Sequence, residues 1–132
     1  MSRRDRSEKE LDPEDRCYRD VLDALVTACR EGQGAIGARR ARAGVWNPNA
    51  TATSLVDQHE RNQLLSALTP AQRETLAQML SEQFAAGVHQ ALVTLHAEGI
   101  APFDASYEGS PFHDFVGRLG GWSWPEEGER LP

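Results

Sequence analysis

His89 and His96 stand seven residues apart, and Glu82 lies seven before His89, a row of two imidazoles and a carboxylate that suits a metal centre. On a helix of about 100° per residue, each step of seven turns the side chain by only about 20°, so all three lie along one edge. The same step advances about 10.5 Å along the axis, whereas helical ligand pairs sit three or four residues apart, as in H-E-x-x-H. One ion cannot take His89 and His96 together. A site on His89 needs a second segment carrying Asp114, His113 or His59. The ordinary role of such a histidine is at a core boundary, bonded to a carboxylate or a carbonyl. His59-Glu60 and His113-Asp114 are acid–base neighbours in sequence only, since adjacent helical residues diverge by about 100°. Asp114 falls in the first turn of a helix, where the dipole favours a carboxylate, and Arg118 one turn on is placed to pair with it.

Other chemistry is thin. Gly32-Gln33-Gly34-Ala35-Ile36-Gly37 spells G-x-G-x-x-G, but the dinucleotide fingerprint needs a strand before it and a helix after it. Here a helix precedes it and no βαβ pattern exists, so the segment reads as a glycine-rich helix exit. Arg39, Arg40 and Arg42 follow in what reads as a solvated connector, or as a contact for an anion or acidic partner. Cys17 and Cys29 are expected as small core residues, about 18 Å apart along one helix and unable to pair. No Walker loop, Cys-x-x-Cys site or nucleophile elbow is present. The expectation is a non-enzymatic protein with no catalytic residues, no cofactor and no resident metal.

The elements that must position these residues centre on Thr69–Gly99. Thr69 as N-cap, Pro70 at the first helical position and Gln72 three residues after the cap make a capping box. Gly99 suits a left-handed exit. Leu76, Met79, Leu80, Phe84, Val88, Ala91, Leu92 and Leu95 spread over more than half the circumference, which predicts a central helix contacted from several sides. Before it, Asp12-Pro13 opens a helix carrying Tyr18, Val21, Leu22, Leu25, Val26 and Cys29 at helical spacing and ending near Gly32. Gly44–Asn49 is turn chemistry around Trp46, and Ser54 or Thr53 is expected to cap a helix over Leu55–Leu68. After Gly99, Ser110-Pro111 starts a short helix to Leu119, with Phe112, Phe115, Val116 and Leu119 on one side. Phe103–Trp124 holds six of the nine aromatic residues and is expected to wrap across the helices. The fold class is mostly α: three main helices, a short C-terminal helix and an aromatic-rich wrapping segment. Residues 1–11 read as a flexible charged arm, 12–125 as a single helical domain and 126–132 as a polar tail.

Length and charge set the remaining bounds. At 132 residues the chain is long enough to bury a core, and its net charge is −6. Residues 1–42 carry ten basic and nine acidic side chains, and 43–132 carry four basic and eleven acidic. That asymmetry argues against nucleic acid and for a basic partner. No apolar run long enough to span a membrane and no leader pattern is present, so the expected location is cytoplasmic with no membrane partner.

LTPAQRETLAQML, GVHQAL and the later HDF with GWSWP resemble a family of small uncharacterised bacterial proteins, a domain of unknown function. The resemblance spans Arg61–Pro125 and carries over Arg73, Glu74, Ala77, His89, Asp114, Trp124 and Pro125. It departs between Gly99 and Ser110, where the family has a longer, more strand-like insert. It implies a compact, mostly helical fold and no established activity. The expected ligand-binding candidates are therefore His89, Asp114, His113, Arg73 and Trp124. The leading expectation is a protein–protein interaction domain, self-associating as a homodimer through the central helix, where Val93 projects away from the apolar arc. The alternatives are an immunity- or antitoxin-like binder of a basic partner, and a small ligand- or metal-binding domain using His89 with Asp114 or His113.

Overall fold

A computed structural model of the chain describes residues 12–104 and 110–125. The expected arm over 1–11, the tail over 126–132 and the part of the Gly99–Ser110 segment at 105–109 lie outside these residues. The class is the mostly α one that the hydrophobic periodicity predicts: five helices are described, and the described residues contain no strand. They are α1 Pro13–Arg30, α2 Gln33–Ala43, α3 Val56–Ala67, α4 Pro70–Ala97 and α5 Pro111–Leu119. By contacts the chain groups into two compact units, one of Ala28–Gly87 and the other of the residues up to Thr27 together with those from Val88 onward.

Helix ends form where local chemistry supplies partners for the first and last backbone groups. The Asp12 carboxylate accepts from the Asp15 N–H at 2.8 Å. At α4 the capping box closes in both directions: Gln72 N–H donates to Thr69 Oγ1 at 3.2 Å, and Thr69 N–H donates to Gln72 Oε1 at 2.9 Å. The other end is a Schellman exit, with Gly99 at φ 68° and the Ile100 N–H bonded to the Leu95 carbonyl at 3.0 Å. α3 departs from expectation. Neither Ser54 nor Thr53 caps it; Leu55 precedes the helix in left-handed backbone at φ 56°, and Ser54 is turned back onto Thr51.

The glycine-rich segment after Gly32 is a helix, α2, and not the connector that its composition predicts. Glycine is the weakest ordinary helix former, costing about 1 kcal/mol relative to alanine, and that cost is what makes the segment look like loop. Packing overrides it. Gly34, Ala38 and Ala41 form a stripe at i, i+4, i+7, all buried, and small side chains let a neighbouring helix approach closely. Ala38 and Ala41 share a core with Leu65 of α3 and Ala77 of α4, ringed by Trp46, Leu68, Leu76 and Leu80. At Gly34 a Cβ would sit 2.5 Å from Phe84 Cδ1 and 2.9 Å from Cys29 Cα, so nothing larger fits.

In the other unit α1 buries Tyr18, Arg19, Leu22 and Val26, α4 contributes Leu92, and α5 contributes Pro111, Asp114 and Phe115. Some residues that periodicity assigns to apolar faces are exposed, Cys17, Met79 and Val116 among them. Periodicity marks a helix face but not how far the neighbours extend over it.

Two substitutions test this packing. Gly34→Ala is expected to destabilise by about 1–3 kcal/mol through overpacking. Gly87→Ala, where an added Cβ meets nothing within 4 Å, is expected to stabilise by about 0.5–1 kcal/mol. Urea denaturation of both variants gives the comparison. On the surface, Arg42 Nε and Nη2 donate to the Glu74 carboxylate at 2.7 and 3.2 Å. That hydrogen bonding holds the Glu74 carboxyl below its ordinary value. A lowered folded-state value means the contribution is complete above the ordinary glutamate range and is lost as pH falls through the lowered one. Both side chains are exposed, so the effect is small and salt-sensitive. The urea midpoints of the parent and Glu74→Gln are expected to converge as pH falls into that range, and to differ less at high salt.

Candidate functional site

The buried polar groups of the unit that contains α5 meet at its aromatic end. Asp114, 3% exposed, lies one turn into α5, and its Oδ2 accepts the hydroxyl proton of Tyr18 on α1. Tyr18 in turn meets Phe103 edge-on at 5.9 Å between ring centres and Trp124 at 6.3 Å. The Trp124 indole N–H donates to Asp23 Oδ2 at 3.1 Å, while the other oxygen of Asp23 accepts from Arg118 Nε at 2.7 Å. Arg118 Nη1 also donates to the Trp122 carbonyl at 2.8 Å. The guanidinium carbons of Arg19 and Arg118 each lie 5.0 Å from the Trp124 ring centre, within cation–π range. Gly117 leaves room for Trp122, whose Cβ would be 3.5 Å from an added methyl.

This arrangement orders charge rather than exposing it. Both oxygens of Asp23 and one of Asp114 accept from named donors, and the arginines lie on an aromatic surface that stabilises cations. Buried polar groups persist when they are paired in this way. Arg118 takes Asp23 as its ion-pair partner, 95 residues away in sequence, and not Asp114 one helical turn before it. Tyr18, Asp23 and Arg19 are not among the five expected ligand residues. Tyr18 and Asp23 are five residues apart, about 140° around the helix, so no shared face marks them in the sequence.

The histidines are accounted for separately. The Phe112 ring packs edge-on against both His89 and His96, at 5.4 and 6.0 Å, so the seven-residue spacing seats one phenylalanine between two imidazoles. His96 Nδ1 lies 2.9 Å from the Phe103 carbonyl oxygen. His113 is exposed. Its Nδ1 lies 2.5 Å from Ser110 Oγ, the N-cap of α5 that also accepts the His113 N–H. Serine and histidine here are bonded as cap and third helical residue, with the ring nitrogen nearer the backbone committed to the serine. That geometry secures a helix end around a serine that is itself buried.

Of the five expected ligand residues, Asp114 and Trp124 belong to one cluster through Tyr18. His89 reaches α5 through Phe112, His113 closes a cap, and Arg73 belongs to the other unit. There its Nε donates to the Leu65 carbonyl at 2.8 Å, supplying a partner to the last turn of α3. Among the described residues no three His, Cys, Asp or Glu side chains converge as metal ligands. Both cysteines are free, Cys17 exposed and Cys29 half-buried, and burial pushes the Cys29 thiol up from its ordinary value, away from thiolate character.

Fold and cluster define an all-α domain in which charged and aromatic side chains are used to join helices to each other. Residues 12–126 match the model of a family of unknown function (DUF6547), and the chain belongs to that family. The match takes in α1 and α2 as well as the Arg61–Pro125 stretch that carries the motifs. No curated protein and no solved structure matches the chain.

Asp114→Ala is expected to destabilise by about 1–3 kcal/mol, because it removes the buried carboxylate that accepts the Tyr18 hydroxyl proton. In a double-mutant cycle with Tyr18→Phe the two losses should be non-additive by about 0.5–3 kcal/mol, read from denaturation midpoints.

Proposed function

We propose that the chain is a non-enzymatic protein–protein interaction domain that associates with copies of itself. The observation that carries this reading is apolar exposure: Leu64 on α3 is 56% exposed and Met79 on α4 is 55% exposed. Water contact with side chains of this size is unfavourable, and covering the exposed part of each is worth about 1 kcal/mol. On the central helix the motive rests on Met79 and not on Val93, which is half-buried. Support comes also from the polar residues, since Asp114, Asp23, Arg118 and His113 are bonded inside their own unit. Two free cysteines suit a reducing compartment, and the bacterial cytoplasm is the location we assign. Among the described residues no helix is long and apolar enough to cross a membrane.

Sedimentation equilibrium over a wide concentration range tests the reading. The apparent mass should rise from one chain toward two, and the double variant Leu64→Glu, Met79→Glu should remain a single chain. A parent protein that stays monomeric at the highest concentration removes self-association.

A further inference from the structure

Arg40 of α2 and Arg61 of α3 converge on one indole. Their guanidinium carbons lie 5.2 and 5.7 Å from the ring centre of Trp46, a distance at which the ring faces attract and hold cations. The loop that carries Trp46 is built with more hydrogen bonds than a connector requires. Asn62 Oδ1 accepts from the backbone N–H groups of Trp46 and Asn47 at 2.6 and 3.0 Å, and Asn62 Nδ2 donates to the Asn47 carbonyl at 2.7 Å. Asn47 Nδ2 donates to Gln58 Oε1 at 2.5 Å. At the entry to the loop, Gly44 adopts φ 75°, and Arg73 lies so close that an added Cβ would be 2.7 Å from its Cζ. The backbone that carries the ring is therefore held by hydrogen bonds, and both cations lie within cation–π range of the ring.

Cation–π attraction uses the charge of each guanidinium and leaves its N–H groups available. Among the described residues the Arg40 side chain makes no hydrogen bond or ion pair. Arg61 has only Asp57 at 3.9 Å, and both of those side chains are mostly in water. α2 carries no acidic residue to compete, and Arg39 beside Arg40 is exposed. An exposed guanidinium whose N–H groups are not taken up within its own chain receives a carboxylate through two parallel hydrogen bonds, and both Arg40 and Arg61 are exposed.

We infer that Arg40, Arg61 and Trp46 form a docking point for an acidic peptide segment of another protein, each guanidinium taking one carboxylate. Acidic residues at alternate positions of an extended peptide, about 7 Å apart, present their carboxylates on one side. Exposed Val45 beside the ring offers apolar contact between them. Nucleic acid suits the site less. A ring already faced by two arginines leaves less of its surface for a base to stack on. Leu64 and Met79, which carry self-association, take no part in this docking point.

The test is a titration of the full chain with a glutamate-rich synthetic peptide, followed in nitrogen–proton NMR spectra at the Trp46 indole N–H. Saturable movement of that signal is expected, weakened about tenfold or more by Arg40→Glu or by Arg61→Glu. Arg40→Lys, which keeps the charge and loses the planar fork, should weaken binding by less than the reversal does. A lysine-rich peptide should leave the signal in place. The inference is overturned if the acidic peptide moves nothing at Trp46, or if both charge-reversal variants, with spectra otherwise like the parent's, bind as the parent does. Movement caused by a single-stranded oligonucleotide and not by the peptide overturns it as well.

Discussion

One carboxylate, Asp23, is divided between two donors that arrive from a distant part of the chain, and the aromatic end of its unit depends on that division. Its oxygens take the Arg118 guanidinium and the Trp124 indole separately, so neither the α5 residue nor the segment after it can shift without unpairing a partly buried anion. The Asp23 side chain keeps 39% of its surface in water, so unpairing it costs less than unpairing a fully buried charge, but the more buried Arg118 loses its partner at the same time. The polar network therefore acts mainly by exclusion: it adds modest stability but penalises other ways of packing α1, α5 and the tryptophans. Tyr18 and Asp114 apply the same constraint a turn away. Aromatic rings then fill the space between the two bonded pairs.

The unit of Ala28–Gly87 uses a different device. Its core is made of alanines and one leucine, which supply little apolar area but allow close approach of α2, α3 and α4. Larger residues, Trp46 and Leu80 among them, close the rim. A core of small residues leaves the loops to carry much of the specification, and they do so through hydrogen bonds: Asn62 on the Trp46 loop, Arg73 on the end of α3. The same rigidity that secures the loop presents Arg40 and Arg61 outward.

What is legible in the chain follows the range of each interaction. The Thr69–Gln72 box, the Asp12 and Ser110 caps and the Gly99 exit are made between residues three to five apart, and each forms as its sequence predicts. The resemblance over Arg61–Pro125 is likewise to a family of unknown function, as the match over residues 12–126 establishes. α2 escapes such a reading because its glycines lower helix propensity, and only a neighbouring helix makes their lack of side chain an advantage. Periodicity places Met79 and Cys17 inside, yet it reports the direction of a side chain and not whether anything lies there. The candidate residues are half legible. Asp114 and Trp124 are indeed buried in one cluster, but His89 belongs to a packing contact with Phe112, and Asp23, which organises the cluster, carries no signal.

By itself, then, the sequence determined where most helices start and stop and that the class is mostly α, because caps and apolar periods act within a few residues. Which charge meets which was decided only by tertiary structure. Arg118 had a carboxylate one turn away and took another 95 residues distant, since the partner that shares a buried site with an indole is fixed by the packing of α1 on α5. No spacing along the chain encodes that choice.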